Sequence, residues 1–233
     1  MILAFETATP HGSVALLAGK TLLAESVLPA GRQVSETYLP VVAGLFRKTG
    51  TGPGDVSHVA VSAGPGSFTG LRVGMAAAKG FCFGRGIPIA TVPTLHALAL
   101  RFPSAGMTIC TVLDAKKKQV YAAFFRWEGG ECRRLAPDGA VAPEALVSAL
   151  PDGKVFFCGD GAAPFGALFR ERLGDRAVFA PDGEGLPRAE SVARFAERLI
   201  REGRVEDPRS VVPAYVRPSE AEIRRGAERG PVP

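Results

Sequence analysis

Three short stretches of the chain gather residue types that chemistry could use. Glu6-Thr7-Ala8-Thr9-Pro10-His11-Gly12-Ser13 joins two strand-like runs. A hairpin of this kind could hold nucleotide phosphates, with Glu6 reaching a metal through water, although an ordinary polar turn needs the same residues. Asp114-Ala115-Lys116-Lys117-Lys118 stands at the equivalent strand end in the second half. Its lysines could act as point charges on phosphate or form a solvated charge run. The third stretch, Ser62-Ala63-Gly64-Pro65-Gly66-Ser67-Phe68-Thr69-Gly70-Leu71-Arg72, follows a strand and opens a helix. Free N–H groups and the helix dipole favour anions there, and its three glycines would let a ligand or another chain approach closely.

The familiar motifs do not fit that loop. Its glycine spacing is Gly-x-Gly-x-x-x-Gly rather than the dinucleotide Gly-x-Gly-x-x-Gly, and no Lys precedes a Ser or Thr as a P-loop requires. A hydrolase elbow would place glycines where Pro65 and Thr69 stand. A turn fixing the helix entry and a contact site both stay open. His11, His58 and His96 form no i, i+4 pair, and Cys82, Cys110, Cys132 and Cys158 form no Cys-x-x-Cys pair. The expectation is therefore no metal, no cofactor and four buried thiols in a reduced, cytoplasmic chain. A Ser–His–Asp triad could assemble from distant residues, but no nucleophile stands in a motif.

Composition narrows the class. With 233 residues, 46% hydrophobic and 22% charged, the chain can bury one large or two small cores. No apolar run approaches the roughly 20 residues of a membrane span, and Glu6 interrupts the N-terminal apolar run too early for a signal peptide. The net charge is +5, yet residues 170–233 carry 13 basic and 12 acidic side chains, interleaved as on a solvated helix face. That pattern argues against a free-standing RNA-binding module.

The elements that must position these residues repeat in order. Strands are predicted over 2–7, 13–17 and 21–28, a helix over 36–48 kinked near Pro40, a strand over 58–63, a helix over 71–84, a strand over 87–92 and a helix over 94–102. Then come strands over 108–114, 119–127 and 132–136, a helix over 143–150, a strand over 154–158, a helix over 163–172, a strand over 177–180 and a helix over 188–204. Three strands, helix, strand, helix thus occur twice, which is an α/β pattern in two lobes. The lobes are expected at 1–105 and 106–222, with a tail at 223–233. Helix 71–84 is apolar nearly all round, and helix 36–48 carries the wide stripe Tyr38, Leu39, Val42, Leu45, Phe46. Each is expected to put one face on the sheet and another into a helix–helix protein interface.

These residues carry a resemblance. The opening 2–9 with Ser13-Val14-Ala15-Leu16, the segment 64–74, Asp114-Ala115-Lys116 with Val120-Tyr121, and Pro213-Ala214-Tyr215-Val216-Arg217 are similar to motifs of the TsaB (YeaZ) family. The match runs from residue 2 to about 222. It implies a duplicated RNase H-like fold, as in actin, Hsp70 and sugar kinases. It also implies a non-catalytic role in transferring threonylcarbamoyl to N6 of adenosine 37 of tRNA (t6A), beside a TsaD-like catalytic subunit and a TsaE-like ATPase, with tRNA met only through the complex. Family members pair through their first two long helices, as homodimers or with TsaD. That assigns Tyr38, Leu39, Val42, Leu45, Phe46, Arg72, Met75, Ala76, Lys79 and Phe83 to a partner, and Gly64, Pro65, Gly66, Ser67, Thr69 and Gly70 to the family-motif loop. Glu6, Thr7 and Asp114 would be a vestigial nucleotide site. The family usually has Asp where Glu6 stands, which weighs against nucleotide binding. The alternative is an ATP-dependent phosphotransferase using the cleft between lobes.

Overall fold

The structure, a computed structural model, describes residues 1–28, 34–103 and 106–216. The tail expected at 223–233 lies outside the described residues.

The first sheet is built from β1 (Ile2–Glu6), β2 (Ser13–Ala18), β3 (Thr21–Val27), β4 (His58–Gly64) and β5 (Ile89–Pro93), in the order β3-β2-β1-β4-β5. The first three form the antiparallel meander the turn residues predict, and β4 and β5 join in parallel after helical crossovers. Those crossovers are α1 (Val34–Thr49) and α2 (Phe68–Arg85). The apolar run of β1 serves both faces of the sheet, as in strands covered on two sides. Leu3 and Phe5 join a core with Val42, Leu45 and Phe46 of α1 and Met75 and Ala78 of α2.

The second sheet follows with β6 (Thr108–Lys116), β7 (Gln119–Glu128), β8 (Glu131–Arg134), β9 (Gly139–Val141), β10 (Val155–Cys158) and β11 (Ala177–Phe179). Its order is β11-β10-β6-β7-β8, with β9 also paired to β7. Helices α4 (Pro143–Ser148) and α5 (Gly166–Leu173) pack on one face, with Phe169 stacked on Phe157 at 4.5 Å. The strand β9 has no counterpart in the sequence reading; three residues are too few to show alternation. Helix α5 starts three residues later than predicted, beyond Pro164.

Two helices cross between the lobes. Helix α3 (Thr94–Ala99) follows the first sheet in the chain but buries Leu95, Leu98 and Ala99 against Ile109, Leu113 and Phe125 of the second. Helix α6 (Ala189–Arg201) ends the second half and returns to the first sheet, where Ala189, Val192, Ala193, Ala196 and Leu199 cover Ile2, Ala4, Ala15 and Ala60. The strands of the two sheets thus follow one another along the chain, whereas α3 and α6 each pack on the sheet of the other half. Small residues on both surfaces bring α6 close to the sheet. No helix among the described residues is long and apolar enough to cross a membrane.

Candidate partner-docking face and the loop behind it

Glu6 ends β1 fully buried. Its Oε1 accepts the Ala8 N–H at 2.6 Å and its Oε2 accepts the Ser62 hydroxyl of β4. Loss of hydration pushes its pKa up to about 7; the Ser62 and Ala8 hydrogen bonds oppose the rise, and the charge of Asp160 adds to it. Tyr38 of α1 packs edge-on to Phe5 at 5.7 Å, and burial followed by the nearby Glu6 charge pushes its hydroxyl pKa up. The carboxylate offered as a metal holder is thus bonded inside its own lobe.

The glycine-rich loop closes over this cluster. Its backbone turns through a cis Gly64–Pro65 bond. Ser67 caps α2 by accepting the Gly70 N–H on its Oγ at 3.2 Å, and its own N–H donates to the Ala8 carbonyl at 2.7 Å. A methyl group on Gly66 would stand 2.5 Å from the Ala8 Cβ; one on Gly70 would overlap the Thr7 carbonyl, and one on Gly74 the Thr7 side chain. The glycines therefore admit a close approach, and what approaches is this chain's own Thr7-Ala8 turn. Pro65 is buried, whereas Thr69 is exposed.

A second partner of the loop is the late segment 211–216. The Ala214 N–H donates to the Ala63 carbonyl at 2.7 Å, and the Ala214 carbonyl sits where a Gly64 side chain would be. Lys79 Nζ donates to the Val211 carbonyl at 3.1 Å, and Arg72 Nε donates to the Tyr215 hydroxyl at 2.9 Å. The Arg72 guanidinium also lies 3.8 Å from the Phe68 ring centre, and Phe68 meets Tyr215 at 5.0 Å. Arg72 and Lys79, expected to reach a partner, hold this strap. Sequence reasoning missed the role; the signal was the apolar and aromatic cluster Val211, Val212, Tyr215 and Val216 in a Pro-broken segment.

The structure separates the expected partner residues by face. Tyr38, Val42, Leu45, Phe46 and Met75 are buried in the lobe's own core. A helix laid on a sheet beside a second helix needs a wide apolar stripe for that purpose alone, and Phe46 stacks on Phe81 of α2 at 6.3 Å. Leu39 remains 78% exposed and Phe83 61% exposed, and Ala76 is exposed as well. Gly80 and Gly84 are also exposed, with open space among the described residues where a side chain would stand. Positions 72, 76, 80 and 84 recur every four residues, so they share the outward side of α2.

Between the lobes, His11, Gly159, Asp160, Arg170, Phe179 and Gly185 help line a cleft of about 530 Å³. Glu6 and Asp114 are not among its lining residues. Asp114 donates its N–H to Asp160 Oδ1 at 3.0 Å, and its carboxylate accepts the Lys116 N–H at 2.7 Å and pairs with Lys116 Nζ at 2.6 Å. Burial raises its carboxyl pKa, but the bonds to Lys116 outweigh this and hold it below the usual range. Asp160 is pushed up, first by burial. Among the described residues no three His, Cys, Asp or Glu side chains gather as metal ligands, and all four cysteines are free and buried.

Residues 27–225 match the family model for TsaD, tRNA N6-adenosine threonylcarbamoyltransferase. The Escherichia coli tRNA threonylcarbamoyladenosine biosynthesis protein TsaB is 31% identical over 93% of this chain and 94% of its own. This chain belongs to the TsaB (YeaZ) family. The Bacillus subtilis TsaB protein is 29% identical over 96% of both chains. YeaZ from Pseudomonas aeruginosa superposes with a TM-score of 0.78 at 26% identity, covering 92% of this chain and 98% of that one. The two mixed sheets with flanking helices are thus the duplicated RNase H-like fold of the TsaB family, and the relatives' names place this family in t6A biosynthesis.

Proposed function

We propose that this chain is a non-catalytic subunit of the t6A machinery that docks a TsaD-like catalytic subunit through the outward side of α2. A TsaE-like ATPase completes the assembly, tRNA is met through the complex, and the free chain pairs with itself on the same side. The observation that carries the reading is the row Ala76, Gly80, Gly84, flanked by exposed Phe83, with Leu39 exposed on α1. A glycine inside a helix costs about 1 kcal/mol relative to alanine, and none of the described residues stands within 4 Å of the side-chain positions of Gly80 and Gly84. Small residues there let a second helix approach closely, and Phe83 and Leu39 supply the apolar area a specific contact needs.

The phosphotransferase alternative would need Glu6 free to reach a metal. Both of its oxygens accept hydrogen bonds from within the lobe, which weighs against it. The test is Ala76→Arg, read by size exclusion with light scattering against the TsaD-like subunit of the same genome. Ala76 is exposed, so the variant should keep its circular dichroism and Tm. It should lose the heterodimer that the unaltered chain forms. Co-elution of the folded variant would refute the assignment of this face.

A further inference from the structure

We propose that the hairpin turn Lys116-Lys117-Lys118 contacts the phosphate backbone of the RNA on which the assembled complex acts. The inference rests on the t6A reading above.

Strands β6 and β7 pair up to Lys116 opposite Gln119, so Lys117-Lys118 form a two-residue loop, preceded by a register shift between Asp114 and Lys116. Lys116, Lys117 and Lys118 have φ of 62°, 52° and 59°, and they are the only residues other than glycine with positive φ among the described residues. Two-residue loops of this hand take Asn-Gly, Asp-Gly or Gly-Gly, because in the left-handed region a Cβ crowds the following carbonyl, which Gly avoids and Asn or Asp offsets with a local hydrogen bond. All three lysines are exposed. A strained backbone kept at exposed residues of one charge points to a ligand of the opposite charge.

The neighbourhood distinguishes the anion. Asp114, paired with Lys116, and Asp160, bonded to the Asp114 N–H, form an acidic root on the cleft side of the turn. A small polyanion seated in the cleft would meet the Asp160 carboxylate, which lines it. A long phosphate backbone passing over the tip meets Lys117 and Lys118 instead, and such contacts need no enclosing pocket.

The variant Lys117→Asn/Lys118→Gly gives the turn the residues its backbone favours and removes both charges. The probe is a tRNA transcript that reads a codon beginning with A, titrated by fluorescence anisotropy from 50 to 200 mM KCl. The titrated species is the reconstituted complex with TsaD-like and TsaE-like subunits. The variant should keep or raise the Tm and still form the complex. It should bind the tRNA about ten-fold more weakly, with a log–log salt slope shallower by about 1.4 to 1.8, the share of two phosphate contacts. Unchanged affinity and slope would overturn the inference and leave the t6A reading standing. Loss of the heterodimer would reassign the lysines to a protein contact and also overturn it. Failure of the unaltered complex to bind the tRNA would count against both.

Discussion

At Glu6, local bonding and solvation pull in opposite directions. Burial disfavours the charged carboxylate, two hydrogen bonds favour it, and burial wins, so the pKa rises from 4.5 to about 7. The folded chain therefore holds this proton more tightly than the unfolded chain. The stability it contributes is fully present below about pH 4.5 and is lost as pH rises through about 7. Over that window the loss amounts to about 3 kcal/mol. Glu6→Gln keeps a carbonyl oxygen for the Ala8 N–H, and its amide can donate to Ser62. Thermal melts should show the variant level with the unaltered chain at pH 4 and more stable by about 3 kcal/mol at pH 8. Equal pH slopes for the two proteins would contradict this account of the site.

At the element scale, α2 shows how one helix serves several neighbours. Gly70 and Gly74 face the Thr7 turn, Met75 and Ala78 face the core, Arg72 and Lys79 hold the 211–216 strap, and Ala76, Gly80 and Gly84 face outward. Because a Gly70 side chain would overlap the Thr7 carbonyl, Gly70→Ala should cost about 2 kcal/mol or more, as overpacking does. Urea unfolding of that variant beside Gly80→Ala, which should be stabilising by up to about 1 kcal/mol, tests the division. A Gly70→Ala midpoint at or above that of Gly80→Ala would disprove it. Strand and helix order was legible in the sequence because turn residues punctuate it and the two periods differ. The division of faces was not. Tyr38, Leu39 and Val42 form one apolar stripe on paper, yet Leu39 is exposed and the other two are core. A stripe as broad as that on α1 does not say where the sheet ends and solvent begins. Met75 was expected to meet a partner and lies in the core for the same reason. The lysine turn was equally hidden, since Lys-Lys carries none of the glycine or asparagine signal of its backbone.

At the scale of the whole molecule, the two lobes are interlocked. Helix α3 is chained to the first sheet and buried on the second, and α6 makes the reverse journey. Where the crossovers meet, the Arg101 guanidinium donates to the carbonyls of Glu184 and Leu186. A body tied in this way presents the α2 face and the lysine turn in a fixed relation, which suits a scaffold holding a catalytic subunit and its RNA. Neither exchange was legible, since the small residues of α6 suit either sheet and only the tertiary fold chooses between them. The most direct test of the scaffold claim is threonylcarbamoyl transfer to tRNA by the TsaD-like and TsaE-like subunits. It would be measured without this chain, with it, and with its Ala76→Arg variant. Transfer should require the unaltered chain and fall to the background level with the variant. Full transfer without this chain, or undiminished transfer with the variant, would contradict the account.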